Sequence, residues 1–274
     1  MNTFILLHDA FQGGWAWQSI ARSLRSLGCL VYTPTFSGCG ERSHIPVTDS
    51  PIHTYLADIE NLVSYEAVTD AVLVCSGFAG MLGPVLATRL QPAVRRLVFL
   101  DAAVPQPGKS YLDIAPEPIA SLLRSNSRDG VAAPFMAGLP RTLEQEHGSR
   151  RKLCDFPLQA FTESYTGPEP DAWPESVFLH CGGDWDPFAR TMLGRAERLG
   201  LDVVEIDMRG VPVMARSQDI ARELKALAPK IPDRQRGACG NVPMPEEMRL
   251  LYCPRHRKRA AMNTAAQGLG GAHC

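Results

Sequence analysis

The sequence predicts an α/β domain, with a mainly parallel sheet, helices on both faces and a small helical cap. Three observations predict it. Short apolar, β-branched runs alternate with helical patterns, which is the signature of βαβ units. Several runs, Ala71-Val72-Leu73-Val74-Cys75 above all, are apolar at every position, as strands covered on both faces must be. At 274 residues the chain is also long enough to bury one sizeable core.

The elements follow in order. Phe4-Ile5-Leu6-Leu7 reads as a strand that leads into the Gly-rich loop His8-Asp9-Ala10-Phe11-Gln12-Gly13-Gly14, then a helix from Trp15 to about Leu27. Cys29 to Thr33 is the next strand, broken by Pro34. Ser50-Pro51 sets a capping residue before a proline at the first helical position and opens a helix through about Tyr65. The apolar strand 71–75 is followed by a tight turn and a helix through Leu90. Arg95 to Leu100, Val177 to Cys181 and Val203 to Ile206 read as further strands, and Ser217 to Ala228 as the closing amphipathic helix. Between Asp101 and Pro174 the strand rhythm stops, which places a cap insertion at about 101–174 within a domain of 1–228. From 229 to 274 the periodicity disappears, and this irregular tail fits a flexible appendage or the arm of a homodimer.

Composition narrows the partners. A formal net charge of −1 argues against nucleic acid and anionic membrane, so a small-molecule substrate is the expected partner. No apolar run approaches the roughly 18 residues that span a bilayer. The opening Met1-Asn2-Thr3-Phe4 has no basic leader segment, so the cytoplasm is the expected compartment. The eight cysteines lie far apart, several inside apolar runs, and read as free thiols. Cys239, Cys253 and Cys274 with His256 and His273 match no standard zinc spacing, so no metal and no cofactor are expected.

His8-Asp9-Ala10-Phe11-Gln12-Gly13-Gly14-Trp15-Ala16-Trp17 resembles the oxyanion-loop motif of the α/β-hydrolase superfamily. The resemblance is to the branch of hydroxynitrile lyases, plant methylesterases and related bacterial proteins. Tyr32-Thr33-Pro34-Thr35, Gly38-Cys39-Gly40-Glu41-Arg42-Ser43-His44 and Leu97-Val98-Phe99-Leu100-Asp101-Ala102 resemble further motifs of that branch, and the similarity runs from residue 3 to about 228. It implies the α/β-hydrolase fold. One fold hosts many reactions, so it implies much less about chemistry.

The resemblance also implies where a catalytic triad would stand. The nucleophile elbow needs small residues at −2 and +2. Centring on Gly77 puts Cys75 and Ala79 there, whereas centring on Ser76 puts Val74 and Phe78 there. Gly77 therefore takes the nucleophile place, without a side chain to attack. Gly210-Val211-Pro212-Val213-Met214 matches the family's Gly-His-x-x-Met, so Val211 stands where the base would be. Asp184 matches the orienting carboxylate.

The electrostatic half of the machinery needs no side chains. Backbone N–H groups of Phe78, and of Ala10 or Phe11, would form an oxyanion hole. Asp9 replaces the family's glycine at a place where hydroxynitrile lyases carry a substrate-contacting threonine. A carboxyl there should face the pocket, with apolar surroundings pushing its pKa toward general acid or base work; the other readings of Asp9 are an N-cap or turn ligand for the loop backbone and an ion pair with an arginine. His8, Ser76, Gly77 and Val211 are expected to line the same pocket, with His8 bonded to the loop backbone and His44 either structural or at the rim.

The leading expectation is a cofactor-independent, non-hydrolytic enzyme of secondary metabolism: a cyclase, lyase, decarboxylase or isomerase acting on a small apolar carbonyl compound, with Asp9 as acid/base and Asp184 retained. One alternative is an esterase with Ser76 or Cys75 as a shifted nucleophile and His8, His44 or His180 as base. The other is a non-catalytic ligand-binding protein.

Overall fold

A computed structural model describes residues 1–47, 49–134, 149–181, 186–206 and 217–229. The chain divides into a compact unit of residues 1–230 and a second of 231–274, which lies outside the described residues.

The first unit carries strands β1 (Thr3–Leu7), β2 (Leu30–Tyr32), β3 (Ala71–Ser76) and β4 (Val94–Leu100), with helices α1 (Gln18–Ser26), α2 (Pro51–Tyr65) and α3 (Gly83–Arg89) between them. Three short helices, α4 (Tyr111–Ile114), α5 (Glu117–Ser125) and α6 (Leu158–Thr162), fall in the stretch after β4, with strands β5 (Ser127–Arg128), β6 (Val131–Ala132) and β7 (Phe156–Pro157). Strand β8 (Ser176–His180), helix α7 (Pro187–Arg198), strand β9 (Asp202–Glu205) and helix α8 (Ser217–Leu227) complete it.

Among the described residues the main sheet has six strands in the order β2-β1-β3-β4-β8-β9, and every pairing is parallel. This is the α/β-hydrolase arrangement expected from the sequence. The fully apolar run of β3 has its explanation in the two cores. Val72 and Val74 pack with α1 and α8 residues such as Leu24 and Ile220 on one face. Leu73 and Cys75 pack with Leu56, Ile59 and Leu86 of α2 and α3 on the other.

Ser50 and Pro51 open α2 as the sequence predicts. The expected helix at Trp15 differs, since Gly14–Trp17 forms a 3-10 turn before α1. The cap stretch is not wholly helical either. β5, β6 and β7 form a small antiparallel sheet of two-residue strands, too short to leave any periodicity in the sequence.

Topology locates the site. From β1 the chain moves to β2 on one side, and β3 starts the other half of the sheet. The crevice outside the C-terminal ends of β1 and β3 is therefore the switch point, the usual place for a ligand in an open α/β sheet. Asp9 lies two residues beyond β1, and Gly77 directly follows β3.

Candidate active site

The loop after β1 is pinned from below. His8 is fully buried, its Nε2 accepts the Phe36 N–H at 3.1 Å, and its Nδ1 lies 2.7 Å from the Asp9 carbonyl oxygen. Nδ1 therefore carries the proton and the ring is neutral. Burial agrees, holding its pKa down to about 4. Both ring nitrogens are thus engaged by backbone groups, as the loop-stabilising reading of His8 expects, and neither is left to act as a base.

The partner of His8 is itself held in place. Next to Phe36, Ser37 donates its N–H and hydroxyl to Asp58 at 2.7 and 2.9 Å, and Arg42 Nη2 reaches the same carboxylate at 2.9 Å. Asp58→Ala strands these donors and should lower unfolding stability by about 2 kcal/mol, read from the urea midpoint at an unchanged m-value.

The turn after β3 has the strand-to-helix form of an elbow. Ser76 is extended at φ −115° and ψ 142°, Gly77 is left-handed at φ +51°, and a 3-10 turn from Gly77 to Met81 leads into α3. The special backbone conformation thus falls on Gly77 and not on Ser76. The exit of β4 presses against this turn: Ala103 donates its N–H to the Gly77 carbonyl at 2.8 Å. A Cβ on Gly80 would lie 2.0 Å from the Ala103 carbonyl oxygen, so the turn requires glycine there too.

Asp9 fills the centre of the site. Its Oδ1 accepts the N–H of Phe78 at 2.6 Å and the N–H of Ala10 at 2.7 Å. Both N–H groups were among those expected to form the oxyanion hole, and here the Asp9 carboxyl engages them. A Cβ built on Gly77 would meet Asp9 Cγ and Oδ1 at 2.0 Å and Oδ2 at 2.3 Å. The carboxyl therefore occupies the space that a side chain on the elbow would need.

The surroundings are apolar. The Phe78 ring meets Tyr111, Phe156 and Phe161 at 5.8, 5.1 and 5.4 Å, and Phe11 meets both Phe156 and Phe161 at 5.9 Å. Tyr111, Phe156 and Phe161 come from the cap stretch, which is also tied to the loop by the Cys154 N–H donating to the Phe11 carbonyl at 3.0 Å. Burial pushes the Asp9 pKa up to about 6, against the pull of the two N–H groups and with help from the Asp186 charge.

A raised carboxyl pKa has a consequence for stability. The folded chain binds the Asp9 proton more tightly than the unfolded chain between pH 4 and 6, so this contribution declines as pH rises through that window. The shift corresponds to about 3 kcal/mol. Asp9→Asn should therefore flatten the fall in thermal midpoint between pH 4 and 7.

The other expected side chains are placed less favourably. Cys75 is fully buried against Gly83, and burial pushes its thiol well above the ordinary range, so it does not supply a thiolate. Ser76 is half-buried at the end of β3. His44 is exposed, which removes it as a base. Asp184 and Val211 lie outside the described residues. Asp186 caps α7, its Oδ1 accepting from Phe188 N–H at 2.9 Å and Ala189 N–H at 3.1 Å. His180 pairs with Asp101, Nδ1 to Oδ1 at 2.7 Å. Asp101 was read only as part of a family motif, and its role as a partner is visible only once β4 and β8 are seen to be neighbours.

Among the described residues no group of three or more His, Cys, Asp or Glu side chains could hold a metal ion, and no helix is long and apolar enough to cross a membrane. The five described cysteines, Cys29, Cys39, Cys75, Cys154 and Cys181, are free.

The profile of the alpha/beta hydrolase family matches residues 4–223. A carbendazim hydrolyzing esterase from Nocardioides sp. (strain SG-4G) is 35% identical over 147 residues, spanning 54% of this chain and 57% of the relative. Among solved structures, an extracellular alpha/beta-hydrolase from a Paenibacillus species superposes with a TM-score of 0.64 at 19% identity, covering 84% of this chain and all of its own. Tomato methylketone synthase I also superposes with a TM-score of 0.64, at 16% identity, covering 83% and 97%. Likenesses this distant speak to the fold. The esterase relative overturns the expectation of a non-hydrolytic cyclase, lyase, decarboxylase or isomerase.

Proposed function

This chain belongs to the alpha/beta hydrolase family, and from that premise we propose that it hydrolyses a small, largely apolar ester or carbamate, with the Asp9 carboxylate as the nucleophile. The observation that carries the reading is the position of that carboxylate, inside the elbow space and bonded to the Phe78 and Ala10 N–H groups.

The two oxygens have different surroundings. Oδ1 is engaged by both N–H donors, and Oδ2 is left to attack. Attack of Oδ2 on the acyl carbon expels the alcohol or amine and leaves a mixed anhydride on Asp9. Water then adds to Asp9 Cγ. The negative charge of that addition develops on Oδ1, where the two N–H groups already stand to stabilise it. Collapse releases the acid and restores the carboxylate. With its pKa near 6, Asp9 is ionised at neutral pH and still more basic than an exposed carboxylate. The rings of Phe11, Phe78, Tyr111, Phe156 and Phe161 suit an apolar acyl group or leaving group. The esterase relative supports the hydrolytic class.

The test is hydrolysis of p-nitrophenyl acetate and a methyl arylcarbamate by the wild type, Asp9→Asn and Ser76→Ala. Loss in Asp9→Asn with retention in Ser76→Ala is expected, and a fluorophosphonate probe should leave Ser76 unlabelled. Retention in Asp9→Asn together with loss in Ser76→Ala would move the nucleophile to Ser76. A wild type that cleaves neither substrate would end the reading.

A further inference from the structure

The cap stretch meets the floor of the site at a pair of thiols that hydrolysis does not use. Cys39 lies in the loop after β2, and Cys154 stands two residues before β7. Far apart in sequence, their sulfurs hydrogen-bond to one another in the fold.

Backbone contacts hold the pair from both sides. Cys39 donates its N–H to the Phe36 carbonyl at 3.0 Å, and Arg42 donates its N–H to the Cys39 carbonyl at 2.8 Å. Phe36 is the residue whose N–H holds His8 under the Asp9 loop. Cys154 donates its N–H to the Phe11 carbonyl, and its Sγ lies 3.6 Å from that oxygen and 3.8 Å from the Gln12 carbonyl oxygen. The sulfurs therefore meet where the cap, the Asp9 loop and the loop after β2 converge. Tyr55 bridges the same three pieces, its ring 4.9 Å from Phe36 and 5.5 Å from Phe156. Its hydroxyl is buried, has no hydrogen-bond partner among the described residues and lies in the field of both sulfurs. A buried donor left in that state calls for an acceptor.

The two thiols differ as an attacking and a resolving thiol must. Cys39 is buried, and it keeps its proton because it donates to Cys154 and because burial opposes a charge. Cys154 is half-buried and open to a small oxidant. The Cys39 hydrogen bond holds its pKa below the ordinary thiol range, with help from the Gly40 N–H and against desolvation. As a thiol Cys154 donates to the Phe11 carbonyl, and as a thiolate it accepts from Cys39 and Gly40. Access and thiolate character together select the cysteine that reacts. Burial pushes the thiols of Cys75 and Cys181 up instead, so neither competes.

We propose that Cys154 and Cys39 form an oxidative modification site, at which hydrogen peroxide turns the thiol pair into a disulfide that fastens the cap to the floor of the site. The Cys154 sulfur attacks one peroxide oxygen and the O–O bond breaks. The other oxygen leaves as hydroxide, which takes up the thiol's proton and becomes water. The sulfur, oxidised by two electrons, now carries a hydroxyl, which offers the Tyr55 hydroxyl an acceptor. The Cys39 sulfur then attacks the Cys154 sulfur, the S–O bond breaks, and the Cys39 proton departs with the hydroxyl as a second water. Two thiols and one peroxide give one disulfide and two waters. Phe156 and Phe161 follow Cys154 in the cap and pack on Phe11 and Phe78, so the new bond pins the apolar wall of the site against the Asp9 loop and slows exchange of substrate and product.

The effect on turnover rests on the hydrolytic reading above, whereas the bond itself is read by mass. The full chain is reduced with dithiothreitol, freed of it and treated with a small excess of hydrogen peroxide. Peptide mapping should find Cys39 joined to Cys154, and the thermal midpoint should rise by about 5 °C or more. Turnover of p-nitrophenyl acetate should fall by at least about tenfold and return with dithiothreitol. Cys154→Ser should keep its turnover and its midpoint under the same peroxide. Cys39→Ala should stop at the sulfenic acid, trapped on Cys154 by dimedone, and the half-buried Cys154→Ser keeps the test open where the Cys39 variant does not fold. Absence of the Cys39–Cys154 link, or a link that leaves turnover unchanged, would overturn the proposal while leaving hydrolysis standing. A wild type that forms the link but cleaves no ester would end the hydrolytic reading and uphold the modification site.

Discussion

Asp9→Asn should lower hydrolytic turnover by at least about 10³, the scale on which removal of a nucleophile or its proton partner is felt. The amide is nearly isosteric, and its oxygen can still accept the Phe78 and Ala10 N–H groups, so the loop should stay in place. What disappears is the second anionic oxygen. The pH profile offers a check that does not depend on the size of the loss. The wild type should show an acid limb near pH 6, losing about tenfold per unit below it, because protonated Asp9 cannot attack. Residual activity in Asp9→Asn should lack that limb. Stability should move the other way, since the variant no longer confines a charge in apolar surroundings at neutral pH.

Gly77→Ala should be nearly as damaging. The left-handed backbone at φ +51° costs alanine about 1–2 kcal/mol. The new Cβ would fall within 2.0 Å of the Asp9 carboxyl, so one of them must move. Displacing Asp9 from the two N–H donors should reduce turnover by about 10²–10³, as the loss of an oxyanion-hole donor does. A double-mutant cycle tests the cause directly. In an Asp9→Gly background the clash is gone, and Gly77→Ala should cost less by about 1 kcal/mol or more. Simple additivity in urea unfolding would mean that the carboxyl does not occupy the elbow space.

Much of this architecture was legible in the sequence. Fully apolar runs bounded by Gly and Pro mark the central strands, because strands covered on both faces admit few polar residues. The cap gave up only its helical pieces, since strands as short as β5 to β7 have no period to read. The site was half visible. The family resemblance, with its small-residue requirement at −2 and +2, implied Gly77 at the elbow and Phe78 with Ala10 or Phe11 as donors of the hole. The contact between Asp9 and Gly77 joins residues 68 positions apart, and the pairing of His180 with Asp101 joins residues 79 apart. Both depend on which strands become neighbours, and no local pattern records that. The leading functional expectation failed for a related reason: a missing serine and a missing histidine suggested that hydrolysis had been abandoned, whereas the carboxylate stands in the place the serine side chain would fill.

The central claim is that Asp9 forms a covalent bond to the acyl group. A single turnover in oxygen-18 water, with enzyme in excess over a p-nitrophenyl ester, tests it most directly. The account predicts one oxygen-18 atom in the peptide that contains Asp9, and an unlabelled product acid that carries the original Oδ2. Label in the product acid with none in Asp9 would contradict it.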